Sequence, residues 1–590
     1  MPVVGEPGPG GAQPVGTTRV VDYIVQHLVD RGVTHLFGVD GANIEDLYDA
    51  AQAHPGITAV LAKHEFSAAA MADAYSRAGA GVGVVAATSG GGALNTIPGL
   101  GESFASRVPV LALIGQAATT SDGRGAFQDT SGADGTLDAA ALFSAISVSC
   151  QRVLTPSDIE TALPSALSDA ARIGGPAVLL LPKDVQQGIV DPQRRAPDLV
   201  AERRDDADLE PVLEMLRRYE GPVLIIAGEQ VARDDARSEL EQLRALLRAR
   251  VATVPDAKDV ASDSESAVLG VTGTMGHPAV SVAIAQSAVC LVIGARLPLI
   301  ARSGLDEVLG SARVASIGAA PPYLSCTHVG SYDLRASLPR LIEALNNCGG
   351  AARERSLDLP VHNELATPPY AGAGVRYRDA MLTLDALLPN DTDIVVDAGN
   401  IGAAAIHWLP RRRGGRFLVA LGMGGMGYSF GAGIGVAFAR AATNPGNRGP
   451  ARRVVVIAGD GAFFMHGMEI HTAAHYRLPV TYVLFDNHAH AMCLTREKLF
   501  YGDRYSYNRF GPSRLGAGLA AMFPMLASVD VTSIGELGVA IKAALDVDGP
   551  SVVSVECSAD EIPPFAPFLA RDAMKIPAIK EYSTTPRDGS

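Results

Sequence analysis

A chain of 590 residues is longer than one hydrophobic core organises, at about 100 to 200 residues per domain, and reads as multidomain. Hydrophobic residues at 47% and charged residues at 19% exclude a disordered or fibrous chain. The 49 Lys plus Arg against 63 Asp plus Glu leave a net charge of −14, which disfavours nucleic acid and anionic membrane as partners, so any phosphate must be captured locally.

Residues 1–16, MPVVGEPGPGGAQPVG, lack a basic start and an apolar core and read as a disordered tail rather than an export signal. From 17 to 190 the apolar runs THLFGV, ITAVLA, VGVVAAT, PVLALIG and PAVLLLP alternate with amphipathic stretches such as FSAAAMADAYSRA, the grammar of a parallel sheet with crossover helices. A polar, breaker-rich stretch at 191–211 ends this block. Block 208–346 repeats the alternation in PVLIIAG and AVCLVIG, and a second breaker-rich stretch follows it at 346–374. Block 375–560 repeats it again in DIVVDAG, RFLVALG, RVVVIAG, VTYVLF and PSVVSVE, and 561–590 reads as a Pro-rich tail. The expected fold is α/β, with three doubly wound parallel-sheet domains, the middle one Rossmann-like. Six scattered cysteines without a Cys-x-x-Cys pair suit a reducing cytoplasm. No apolar run approaches the roughly 18 to 20 residues of a spanning helix.

Ligands of such sheets sit beyond the carboxyl ends of the strands. Gly459-Asp460-Gly461 follows RVVVIA, and Asp486-Asn487 follows VTYVLF. On neighbouring parallel strands, Asp460 and Asn487 would emerge about 5 Å apart, within reach of one hard cation such as Mg²⁺, which prefers oxygen ligands. The flanking glycines and the next helix start would suit a diphosphate. Asp-Gly after a strand is by itself also an ordinary turn. In ITAVLAKHEFSAAAMADAYSRA, Glu65 follows a strand and opens a helix, where an acidic residue also complements the helix dipole.

Taken together, GDG, 24 intervening residues and DN span 29 positions, and this closely resembles the thiamine diphosphate (ThDP) motif. KHEFSAAAMADAYSRA with AATSGGGALN is similar to the pyrimidine-binding domain of the acetohydroxyacid (acetolactate) synthase family. The resemblance runs from about 17 to 560, which makes the outer domains pyrimidine-binding (17–190) and pyrophosphate-binding (375–560). It implies ThDP and Mg²⁺ as cofactors. Asp460, Asn487 and the carbonyl of Ala489 would hold the metal, and Gly399, Asn400, Gly459, Gly461 and Ala462 the diphosphate. Gly424 and Met426, in LGMGGMGYSFGAGIG, would meet the aminopyrimidine, although core packing alone also explains a Met. Glu65 would share a proton with the aminopyrimidine and so activate the cofactor. Phe127 and Gln128 in GRGAFQDT and Lys183 in GPAVLLLPKDVQ would line the substrate channel. A homodimer is the implied minimum and a homotetramer the common assembly.

Four departures accompany the resemblance. Asp40 stands where the family usually has Pro, and Asp486 where it has Asn. DNHAHAMCLTREKLFY keeps Met492, Glu497, Phe500 and Tyr501 but puts Arg496 in place of the Trp of the acceptor pocket. A guanidinium there is either a bidentate anion site or a solvent-facing side chain. In the middle block ARLPLIAR replaces the family's Asp-Asp-Arg, with Ile300 at the Arg position and Arg302 nearby, and no Gly-x-Gly-x-x-Gly is present, so FAD has no support. The expectation is a specialised lyase or carboligase that decarboxylates a pyruvate-like 2-oxo acid and passes the acyl carbanion to an aldehyde or keto acceptor. Alternatives are a simple 2-oxo acid decarboxylase, a catalytically silent regulatory relative and, outside the family, a nucleotide-binding module, which the glycine pattern disfavours.

Overall fold

The computed structural model describes residues 18–191, 207–261, 267–347, 357, 364–410, 414–443, 452–504 and 507–569. The expected tails at 1–16 and beyond 569 lie outside these residues, while Ala566–Leu569 forms a short helical turn. Among the described residues no helix is long and apolar enough to cross a membrane.

Three six-stranded sheets follow one another along the chain, and every expected apolar run is a strand. The first sheet comprises β1 (His35–Val39), β2 (Thr58–Leu61), β3 (Gly83–Ala87), β4 (Val110–Gln116), β5 (Ser149–Arg152) and β6 (Pro176–Pro182). Its spatial order is β2-β1-β3-β4-β6-β5, all parallel. The second comprises β7 (Val223–Ala227), β8 (Arg250–Thr253), β9 (Val268–Val271), β10 (Val289–Ile293), β11 (Val314–Gly318) and β12 (Thr327–Gly330). Its order, β9-β8-β7-β10-β11-β12, is the 3-2-1-4-5-6 arrangement of dinucleotide folds. The third comprises β13 (Asp393–Val396), β14 (Phe417–Val419), β15 (Val454–Gly459), β16 (Val480–Asp486), β17 (Ala527–Val531) and β18 (Ser551–Glu556). Its order, β14-β13-β15-β16-β18-β17, repeats that of the first sheet strand for strand. Central strands such as β4, β6 and β16 are buried along their whole length, because helices cover both faces of a parallel sheet.

The first and third sheets are joined by two helices rich in small residues, α1 (Glu65–Arg77) and α4 (Tyr428–Thr443), with α2 (Gly91–Ser106) and α3 (Asn400–Trp408) alongside in their respective domains. A Cβ on Gly431 would fall 2.4 Å from the Ser67 carbonyl oxygen, and one on Gly435 2.1 Å from that of Met71. Only glycine at this four-residue spacing lets the two backbones touch. A buried ionic network crosses all three domains. Arg416 pairs with Asp259 and Glu229 of the second and with the Arg77 carbonyl of the first. Arg77 pairs in turn with Asp73 and Glu102, and Asp73 also accepts from the Tyr428 hydroxyl. Removing one member would strand a buried charge.

Candidate functional site

Beyond the carboxyl end of β15, α5 (Asp460–His466) begins at once, so Asp460 sits at a helix N-terminus. The parallel register pairs Gly459 with Phe485, which places Asp486, one residue on, opposite Asp460. Asn487 follows. Ala489 N–H donates to Asp460 Oδ2 and to Asn487 Oδ1, both at 3.1 Å, so the two oxygens expected to share a cation converge on one amide. Asp460 and Asp486 are both buried. Burial first, and then the charge of Asp486, push the Asp460 carboxyl well above its usual range. Ser513 Oγ donates to Asp486 Oδ2 at 2.8 Å, and the other carboxylate oxygen faces His488 Nδ1 at 3.0 Å.

Across the sheet, Gly399 (φ +112°) ends the turn after β13, with open space where a side chain would stand. Asn400, only 3% exposed, opens α3, and neither of its amide atoms has a partner in hydrogen-bond geometry among the described residues. The Tyr377 hydroxyl lies beside it and accepts from Asn487 Nδ2 at 3.4 Å. Two adjacent buried carboxylates, an unpaired buried amide and a glycine turn open toward solvent fit a metal-bound diphosphate. Ala462 is buried in the first turn of α5.

The loop between β14 and α4 carries Gly424 and Met426. Gly424 (φ +66°) has open space on its Cβ side. Met426 Cε would lie 3.1 Å from a Cβ on Gly461, so Met426 stands over the glycines of the diphosphate turn. Glu102 of α2 accepts from the amides of Gly422, Met423 and Gly424 at 3.2, 2.6 and 3.4 Å. Asp397, at the end of β13, accepts from those of Ala398, Gly427 and Ser429, each at 2.9 Å, while burial raises its carboxyl. Neither carboxylate figured among the residues expected from the sequence, although Asp397 directly follows the strand residues of the run DIVVDAG.

Glu65 is the first residue of α1, capped by His64, whose ring accepts from Phe66 N–H at 3.1 Å. Its carboxylate accepts from Asn95 Nδ2 at 2.9 Å and lies against Gly92. The turn before it is fixed from the third domain, since Glu469 Oε1 accepts from Lys63 and His64 amides at 2.7 and 3.1 Å. Asn95 and Glu102 are seven residues apart on α2, a rise of about 10 Å. Within one chain Phe66, the residue after Glu65, lies against Gly425 of the Gly424 loop and its ring is 4.5 Å from that of His466.

Of the expected channel residues, Gln128 and Lys183 border one turn of the first domain, where Asn43 Nδ2 donates to Ser89 Oγ at 2.6 Å. Phe127 is 80% exposed. Gln128 adopts φ +58° and accepts from Ser89 Oγ at 3.3 Å. Lys183 donates to the Ala42 carbonyl at 2.6 Å and pairs with Glu45. Met492 and Arg496 share one face of α6 (Ala491–Tyr501), Met492 half-buried and Arg496 exposed. Asp40 is exposed and accepts from the Gly41 amide. Ile300 packs on the core of the third domain, and Arg302 pairs with Asp306.

The chain is similar to known proteins along most of its length. It matches "Thiamine pyrophosphate enzyme, N-terminal TPP binding domain" over residues 18–136, the central domain of the same enzymes over 209–345 and their C-terminal TPP binding domain over 397–555. It is 27% identical to the acetolactate synthase isozyme 2 large subunit of Escherichia coli K12 over 577 residues, 95% of this chain and 99% of that one. It is also 27% identical to the acetolactate synthase large subunit of Lactococcus lactis subsp. lactis over 514 residues, 82% of this chain and 84% of that one. The crystal structure of benzoylformate decarboxylase from Polynucleobacter necessarius superposes with a TM-score of 0.77 at 20% identity, covering 92% of this chain and all of that one.

Proposed function

We propose, for a chain that belongs to the thiamine diphosphate-dependent enzymes of the acetolactate synthase-like family, that it removes CO₂ from a pyruvate-like 2-oxo acid and transfers the remaining acyl unit to an aldehyde or keto acceptor. The observation that carries this reading is the convergence of Asp460 and Asn487 on the Ala489 amide at the ends of adjacent strands. When bound, ThDP supplies the carbon nucleophile and the electron sink that decarboxylation requires.

The protein's own part is binding, orientation and proton handling. Asp460, Asn487 and the Ala489 carbonyl hold a divalent cation such as Mg²⁺. Gly399, Asn400, Gly459, Gly461 and Ala462 hold the diphosphate, and Gly424 and Met426 seat the aminopyrimidine. Glu65 exchanges a proton with that ring, its carboxylate oriented by Asn95. Phe127, Gln128 and Lys183 flank the donor, and Met492 and Arg496 the acceptor. As the family resemblance implies, Glu65 serves the diphosphate half of a second copy. The working unit is then a homodimer, paired into a homotetramer, in the cytoplasm.

Incubation with ThDP, Mg²⁺ and a panel of 2-oxo acids, with CO₂ and products followed by mass spectrometry, tests the proposal. Ligated products on addition of an aldehyde or keto acceptor are expected. Aldehyde release alone would make the protein a simple decarboxylase, and absence of both ThDP binding and CO₂ would make it a silent relative.

A further inference from the structure

Resting on the proposed seating of the aminopyrimidine, we infer that Glu102 is a positioning residue for the reaction: from the first domain it fixes the third-domain loop that carries Gly424 and Met426. The stretch GMGGMG, residues 422–427, has glycine at four of its six positions, and glycine leaves the backbone free over most of its conformational range. Nothing in the loop's own sequence holds it in one shape, so its order has to come from outside.

Two carboxylates supply that order. Asp397, from the loop's own domain, accepts from the amides of Gly427 and Ser429, each at 2.9 Å, and pins the far end. Glu102 pins the near end. Its Oε1 accepts from Gly422 N–H at 3.2 Å, and its Oε2 accepts from Met423 and Gly424 N–H at 2.6 and 3.4 Å. A trans peptide sets each carbonyl opposite the N–H that follows it, so the carbonyls of Leu421, Gly422 and Met423 turn away from Glu102. With the peptide entering Gly424 held in this way, only the φ and ψ of Gly424 are left to aim its carbonyl. Its φ of +66° is one that glycine adopts without strain.

The loop lies directly on α2, since a Cβ on Gly422 would fall 2.8 Å from Ala105 Cβ, 3.0 Å from Ser106 Oγ and 3.1 Å from Glu102 Oε1. Glu102 is 2% exposed, and Arg77 and Ser106 Oγ approach its Oε1 from the first domain at 3.3 and 2.7 Å. A carboxylate paired with a guanidinium only accepts, and amide bonds to a charged group are about twice as strong as neutral ones. The same helix orients Glu65 through Asn95 Nδ2 at 2.9 Å. One helix thus fixes an aminopyrimidine contact in each of the two sites that a chain serves. Because the near anchor belongs to a different domain from the loop, the pose of Gly424 depends on how the first domain docks.

The test uses the full-length protein. Glu102→Gln keeps the shape but replaces one oxygen with a donor, so at least one loop amide loses its acceptor. Without ThDP, hydrogen exchange at the amides of residues 422–424 should quicken by about tenfold, the loss of one charge-assisted hydrogen bond. With Mg²⁺, the Kd for ThDP should rise about tenfold, and the near-ultraviolet circular dichroism of the bound aminopyrimidine should change. Turnover at saturating ThDP should fall while KM for the 2-oxo acid stays within about twofold. Ser103→Ala is the control. Ser103 Oγ, one residue along the same helix, donates to Asp73 at 2.8 Å and to the Gly99 carbonyl at 3.3 Å, so its loss should lower the urea midpoint and leave loop exchange, ThDP Kd and the dichroism unchanged. Glu102→Asp keeps the charge beside Arg77 but is one methylene shorter; it should loosen the loop in the same sense and covers the case in which Glu102→Gln does not fold. Glu102 variants that match Ser103→Ala in exchange, Kd and dichroism overturn the inference, while ThDP binding and CO₂ release by the wild type leave the proposed function standing. Failure of the wild type to bind ThDP overturns both.

Discussion

Glu65 owes its place to local chemistry: a His64 cap, an Asn95 donor at 2.9 Å and a preceding turn pinned by Glu469. Glutamine preserves the shape and the Asn95 contact but cannot exchange a proton. Glu65→Gln should therefore keep ThDP binding within a fewfold and lower turnover by about 10²- to 10⁴-fold, with slowed deuterium exchange at C2 of the bound cofactor. Exchange at the wild-type rate would remove Glu65 from the role. Arg496 is exposed on the face of α6 that it shares with Met492. If it receives an anionic acceptor, Arg496→Trp should leave CO₂ release unchanged and shift acceptor preference toward neutral partners by about 10- to 150-fold, the range of a charge-assisted contact of about 1.5–3 kcal/mol. Equal effects on charged and neutral acceptors would place it in solvent. At this scale the sequence already pointed to Asp460, Asn487 and Glu65, because strand ends and helix starts are visible as breaks in apolar runs. It marked Asp486 only as a departure from the family pattern and did not single out His488. Their contacts depend on register, which sets Asp486 against Asp460, and on Glu556, which arrives from β18.

Among the elements, the central strands are legible because burial on both faces demands unbroken apolar runs. Two edge strands are not: β5 reads SCQR and β17 reads ASVDV, both largely half-exposed, so no run marks them. Helix α4 is the clearest case of an element whose composition has a tertiary cause. Its glycines weaken an isolated helix, yet Gly431 and Gly435 admit the Ser67 and Met71 carbonyls of α1 at a distance no Cβ tolerates. Gly435→Ala must push the helices apart. It should destabilise the protein by about 1–3 kcal/mol, the range of overpacked cores, read as a lower urea midpoint at unchanged slope. An unchanged midpoint would mean that the helices are not in contact in solution.

For the whole molecule, acid stability and assembly each make a claim. His407 is buried between the second and third domains. Its Nδ1 donates to the Met275 carbonyl at 2.9 Å, its Nε2 accepts from Leu365 N–H at 3.0 Å, and the ring stacks on His277. Both nitrogens are used in the neutral form, and burial pushes the pKa down to about 4. Since the unfolded value is about 6.5, the unfolded chain binds the proton first, so His407's contribution is complete above pH 6.5 and is lost as pH falls toward 4, by about 3 kcal/mol. Glu561, raised by burial to about 7, acts in the opposite sense, so the difference between wild type and His407→Gln isolates the histidine. Chemical denaturation from pH 7 to 4 should show a steeper acid limb in the wild type, and parallel curves would refute the assignment. If each site draws Glu65 from one chain and Asp460 from another, co-expressed Glu65→Gln and Asp460→Ala chains should regain about a quarter of wild-type activity, because half of the dimers are mixed and each mixed dimer has one intact site. No recovery would place each site within one chain. The sequence by itself determined three parallel α/β domains and the residues at their strand ends, since periodicity and breaker residues are local properties of the chain. Only the tertiary structure decided the repeated strand order of the outer sheets, the contact of α1 with α4 and the meeting of Asp460, Asp486 and His488, because each joins segments far apart in sequence through register and packing.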